Sequence, residues 1–300
     1  MNPVLAIASV VMKELYRRKD FYVLFVLTAL LTALLGWVTF FNDPKIVRHL
    51  KEVCLLLVWV SALVIAIGMA ARQIPAEREN RTIFPLLAKP VTRGQVIVGK
   101  FLGCWLACGI ALIVFYLFFA IITESRGHDH APSLKQSAPT ATSTTPANVG
   151  EPGHDAEHSD HDDDENAMRH SPAVNYFQAL WLHWMMLGVV TAMVLFGSVV
   201  FTAPSSNATI CLIVVVGILL LGEHLNKVAL QQPPPLQTII YLIYFALPHL
   251  ELFDIRDRVI YDQPPVEWAY CGLDTLYAGA YAVLFLFLAW LVFRRRTLAG

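Results

Sequence analysis

The chain is 300 residues long, with 56% hydrophobic and only 15% charged residues, and its mean hydropathy is +0.56. That balance excludes a soluble domain, which could not keep so much apolar surface from water, and it predicts an all-α membrane protein. The formal net charge of -1 says little as a total, because the charges are segregated along the chain.

Residues 1–20 open the chain with Val4, Ile7, Val11 and Leu15 on one side of a helix and Lys13, Arg17 and Arg18 mostly elsewhere. The charges follow the apolar residues, which is the wrong order for a cleavable signal peptide. The pattern predicts an amphipathic interfacial helix, with an unstructured basic tail as the alternative. Three spans follow within residues 21–123: Phe21–Phe41, Val53–Ala71 and Phe101–Thr123. Each has the ~20 uncharged residues that cross a hydrocarbon core of ~30 Å at 1.5 Å per residue. Asn42–Glu52 reads as a short outer loop, and residues 72–100 as a longer loop on the opposite face.

Residues 124–172 are the long polar insertion. Ala131–Asn148 is rich in Ser, Thr, Pro and Ala, and Glu151–Glu165 surrounds His154, His158 and His161 with carboxylates. Neither part can build a core, so the loop is expected to be disordered. Neutral imidazole and carboxylate suit borderline cations, which makes His154, His158 and His161 candidate metal ligands. Their loose spacing gives no preformed geometry, and a solvated acidic tether is the plainer reading.

Residues 173–300 carry three more spans: Ala173–Ala203, Ser205–Gly222 and Leu276–Phe293, the last beginning near the interfacial aromatic Trp268. Between them, residues 233–257 start with three prolines and hold an apolar stretch too short to cross, and so read as an outer re-entrant element. The sum is six transmembrane helices. An even count puts the basic N-terminus, the Arg72–Lys100 loop and Arg294–Arg296 on one face, and the positive-inside rule makes that face cytoplasmic. Both termini are expected inside and the acidic loop outside. Cys54, Cys104, Cys108 and Cys211 lie in or beside apolar spans, where Cys packs as a small hydrophobe.

Gly94–Lys100 matches the spacing of a phosphate-binding loop, but Phe101 stands where magnesium binding needs Ser or Thr, and Lys100 opens into a span. The chain is therefore expected to bind no ATP itself and no cofactor. The loop has another use. Its charges alternate in sign around Ile83, Leu86 and Leu87 at helical spacing before Pro90, and such a segment suits docking into another protein's groove. An ordinary solvated loop is the competing account. Gly99, Gly103 and Ala107 form a small-residue stripe that predicts close helix packing.

The order Glu77-Arg78-Glu79, Thr82, Leu86-Leu87-Ala88, Pro90-Val91-Thr92-Arg93 and Gly99-Lys100 resembles the coupling region of type-2 ABC exporter permeases. Arg81-Thr82-Ile83 with Ala88-Lys89-Pro90 is most similar to a branch associated with multicopper enzyme maturation. The layout of amphipathic helix, six spans and basic tail is similar too, whereas the long acidic loop departs from it. The resemblance implies a non-catalytic transmembrane subunit of an exporter in the cell inner membrane. It would act as a homodimer or with a related permease, beside a separate ABC ATPase that holds the ATP and magnesium. It also implies that Glu77, Arg78, Glu79, Arg81 and Thr82 touch the ATPase, flanked by Lys13, Glu14 and Arg17, with Ala203–Ala208 as a second contact. His183 and Asp274 are polar residues inside spans and so candidates for a substrate path, though interfacial solvation accounts for them equally. The rival function is an ATP-independent metal transporter or sensor built on the His/Asp loop.

Overall fold

The computed structural model describes residues 3–17, 22–23, 26–31, 34, 44–79, 92–127, 172–229, 238, 247–261 and 263–295. Regular structure among them is helical throughout: α1 (Pro3–Tyr16), α2 (Pro44–Ala71), α3 (Pro75–Glu79), α4 (Arg93–Gly127), α5 (Pro172–Val200), α6 (Pro204–Ala229), a 3-10 turn (Leu250–Phe253), α7 (Arg256–Ile260) and α8 (Trp268–Arg295). Four of these, α2, α4, α5 and α8, contain stretches long and apolar enough to cross a membrane, and α6 has a shorter apolar part, Pro204–Leu220. Most of the expected first span lies outside the described residues, as does most of the expected re-entrant element up to residue 246.

α5 is the centre of the bundle. Of its apolar window 78% is buried, against 22% for α8, which leaves α8 at the periphery. Side-chain contacts fix the relative directions. Trp59 of α2 faces His183 of α5 with ring centroids 6.2 Å apart, and Asn207 bonds the carbonyls of both Ala71 and Val194, so α2 and α5 run the same way. Trp105 and Phe119 of α4 meet Trp184 and Tyr176 of α5 in reverse order, which makes α4 antiparallel. Trp181 bonds Thr275, and Phe196 meets Phe285, so α8 runs with α5. The C-terminal ends of α2, α5 and α8 therefore gather with α3 and the start of α4 at one end of the bundle. The start of α5 and α7 lie at the other.

Two boundaries differ from the sequence reading. α2 begins at Pro44, within the expected outer loop 42–52, and α6 continues through Glu223 and Lys227 to Ala229. Charges end an apolar span, but they do not end a helix. Pro44 also suits a first helical position, where no amide partner is needed.

The glycine stripe of α4 packs as expected, and its partner is α1. A Cβ on Gly99 would stand 2.8 Å from the Ile7 Cβ, and one on Gly103 would stand 2.7 Å from the Val11 Cβ. Contacts advance together, Val4 at Gly99 and Ala8 at Gly103, so α1 lies lengthwise along α4 with its Val4, Ile7 and Val11 face inward. Leu5 and Val10 are left exposed. On the other side of α4, Trp105 and Trp184 stack at 4.7 Å. Each indole N–H donates to the other residue's main-chain carbonyl, at 3.1 and 3.2 Å. The exchange needs close backbones, and Gly188 and Gly109 provide them. A Cβ on Gly109 would meet the Trp184 Nε1 at 2.5 Å.

Candidate functional site

The α3 end is built from the turn after α2. Ala76 N–H donates to the Arg72 carbonyl at 3.1 Å and Arg78 N–H to that of Ile74 at 3.2 Å. Pro75, buried at the first position, then starts the five-residue α3. Glu77 turns from this helix towards α4, where its Oε2 lies 2.6 Å from the Lys100 Nζ. Lys100 is 1% exposed and also donates to the Gln73 carbonyl. A buried ammonium is costly without partners, and a carboxylate plus a carbonyl supply them. This pair ties α3 to the second turn of α4.

The start of α4 is also clamped. Thr92 and Gln95 form a reciprocal cap: the Thr92 N–H donates to the Gln95 Oε1 at 3.0 Å, and the Gln95 N–H to the Thr92 Oγ1 at 3.3 Å. Arg93 reaches across to the last turn of α8 and donates to the carbonyls of Phe293 and Arg294 at 2.9 and 3.1 Å. A cation suits the negative end of a helix dipole. Glu79 is exposed and Arg78 half-buried, while Arg81 and Thr82 lie outside the described residues. Lys13 and Glu14 on α1 and Arg17 just after it are exposed.

In the turn at Ala203–Ala208, Ser205 and Ser206 are exposed, while one polar side chain turns inward. Asn207 is fully buried. Its amide donates to the carbonyls of Ala71 and Val194, both at 3.3 Å, and its Oδ1 accepts from the Cys211 thiol. Asn207 is therefore an internal tie between α2, α5 and α6 and offers nothing to a partner protein. Polar residues at a short turn read as exposed in sequence, yet the amide is drawn inward by carbonyls that need donors.

A second polar cluster lies deeper. His183 on α5 is 2% exposed, and neither ring nitrogen has a hydrogen-bond partner among the described residues. Trp59 and Tyr116 flank it, each with its ring centroid 6.2 Å away. Above Trp59 sits the Arg256 guanidinium, 4.8 Å from the ring centroid. Asp254 holds that guanidinium by two bonds of 2.7 and 2.6 Å. Burial works against the Arg256 charge, but the hydrogen bonds and charge of Asp254, with Tyr116 and Asp257, outweigh it and push its pKa above the ordinary value. The segment carrying α7 thus roofs the His183 cluster with a locked cation. Asp274 is half-buried on α8. The acidic loop with His154, His158 and His161 lies outside the described residues, and no metal-ligating cluster occurs among those that are described.

Residues 5–132 match the family described as ABC-2 family transporter protein. This part of the chain is similar to that family. It takes in α1, α2, α3 and α4, and with them the Glu77–Lys100 pair and the packing of α1 on α4. His183 and Asp274 fall beyond the matched residues. No curated protein matches the chain. In the matched region, sequence reading missed Lys100 as a structural cation, because it reads there as part of a failed phosphate loop and of the coupling motif. Its neighbourhood held the signal: a lysine at the mouth of an apolar span needs an acid, and Glu77 and Glu79 lie upstream on the loop's opposite arm. The Thr92-x-x-Gln95 cap was equally legible.

Proposed function

We propose that the chain is the transmembrane permease subunit of an ABC exporter, driven by a separate ATPase that docks at the α3 end and works with two permease copies. The observation that carries this reading is the Glu77–Lys100 pair. A short helix with Glu79 exposed and Arg78 half-buried is joined to a membrane-crossing helix by an ion pair whose lysine is buried. A push on α3 from outside the bundle then displaces α4, because breaking the pair would leave a charge buried. α1 moves with α4 through the Gly99 and Gly103 contacts. α8 follows through Arg93. In this reading the α3 end is cytoplasmic, both termini lie inside, and the membrane is the cell inner membrane. Arg81 and Thr82 extend the docking surface, and ATP and magnesium belong to the partner.

The test is co-expression with a candidate ABC ATPase, affinity recovery in detergent and measurement of the ATPase rate. Glu79→Lys places a like charge against partner bases without touching Lys100, so recovery of the ATPase is expected to fall about tenfold at low salt. Undiminished recovery and unchanged ATPase stimulation would remove α3 as the docking element.

A further inference from the structure

A cavity of about 790 Å³ opens between α1, Tyr22 and the flank of α4. Its floor is apolar. Ala107, Ile110, Ala111 and Val114 lie along one stripe of α4, with Met69 of α2 beside them. Its rim is cationic and phenolic. Lys13 and Arg17 are one turn apart at the end of α1, where the Arg17 N–H donates to the Lys13 carbonyl, and Tyr16 and Tyr22 meet edge-on at 5.8 Å. Neither Lys13 nor Arg17 forms an ion pair among the described residues.

We infer that this cleft binds one anionic phospholipid, with its phosphate between Lys13 and Arg17 and an acyl chain along the Ala107–Val114 stripe. The volume lies in the range of ligand clefts. The floor belongs to spans, where the surrounding medium is hydrocarbon and an apolar groove fills with acyl chain. A cation bordering such a surface gains from an anion placed beside it. Two cations a turn apart match the oxygens of one phosphodiester, and phenols at the rim sit where headgroup and chain meet. A zwitterionic lipid brings its own ammonium to the same phosphate and loses that advantage. This assignment goes beyond the exporter reading and does not depend on it. It also takes Lys13 and Arg17 away from the ATPase surface and gives them to the bilayer.

The full-length chain in mild detergent, examined by native mass spectrometry, provides the test. Phosphatidylglycerol and phosphatidylcholine of identical chains are titrated in parallel, and soluble glycerol phosphate is added in a third arm. The expected result is preferential retention of phosphatidylglycerol, no displacement by glycerol phosphate, and a loss of about tenfold in phosphatidylglycerol retention in Lys13→Gln/Arg17→Gln. Both side chains are exposed, so the double variant keeps its fold, checked by circular dichroism and gel filtration. Ile110→Trp, which fills the floor from an exposed position, is expected to lower retention of both lipids. Equal retention of the two lipids by the unsubstituted chain overturns the proposal. So does unchanged phosphatidylglycerol binding in the double variant. Dissociation of a dimer by the double variant with lipid binding unchanged also overturns it, and assigns the cleft to a second copy of the chain.

Discussion

Lys100 shows how one side chain changes the meaning of a sequence. Its charge is buried, and the Glu77 carboxylate and Gln73 carbonyl make that burial tolerable. Removing one partner is therefore expected to cost more than removing both. Glu77→Gln and Lys100→Met should each destabilise the fold by about 3 kcal/mol, whereas the double variant should recover a substantial part of that loss. Thermal unfolding of the purified chain in detergent measures the difference, and strictly additive losses would show that the two residues do not form a unit. Glycine supplies a second residue-scale case. Gly109→Val would drive side-chain atoms into the Trp184 indole, since even a Cβ stands 2.5 Å from its Nε1. A loss of about 1–3 kcal/mol is expected from overpacking, with a change in tryptophan fluorescence as the stacked pair separates. The same unfolding temperature and emission spectrum as the native chain would remove the pair as a packing constraint.

At the scale of elements, the segment 247–261 acts as a roof. Leu250, Phe253, Val259 and Ile260 are buried. Residues 263–266 are stitched to α5 by Asn175 and Gln178, which bond the main chain of Gln263 and Val266 at 2.8–3.0 Å. Arg256 is the point where that roof meets the His183 cluster. Arg256→Gln removes the cation over Trp59, so a loss of about 1–2 kcal/mol is expected. Faster hydrogen exchange in residues 250–260 should accompany it. Exchange rates that stay at the native values would mean that the apolar anchors alone hold the roof. Arg256→Lys tests geometry apart from charge, because a point charge does not stack on the indole or grip Asp254 in two places.

The whole molecule makes its own forecasts. The ends of α2, α5 and α8 lie together with α3, which agrees with a topology that keeps Arg294–Arg296 on the side of the Arg72–Lys100 loop. Single cysteines placed at Ser137, Gln232 and Thr297, in a background without the native cysteines, are expected to react with an impermeant reagent in intact cells at the first two positions and not at the third. Labelling of Thr297→Cys would overturn the orientation. Deletion of residues 131–164 is expected to leave the unfolding temperature nearly unchanged, since that stretch has few large apolar residues to bury. A large loss of stability would reveal a folded domain there. A growth defect specific to copper, zinc or nickel would promote His154, His158 and His161 to ligands.

The sequence by itself determined the class of the protein, the position of most apolar helices and the close packing at Gly99 and Gly103. Each of these follows from local rules: a hydrocarbon core demands runs of uncharged residues, and small residues at helical spacing admit a neighbour. The start of the last helix at Trp268 was legible for the same reason. The order Glu77 to Lys100 carried the family resemblance, and the ABC-2 match over residues 5–132 covers it. What only the tertiary structure decided is where polar groups point. Glu77 turns inward to Lys100, Asn207 is buried against carbonyls of two other helices, and Arg256 lies over a tryptophan nearly 200 positions earlier. Composition marks such residues as exposed, because charge and amide belong in water on average. In a bundle they go where a buried carbonyl, carboxylate or ring leaves a demand to be met, and that demand exists only once distant helices have come together.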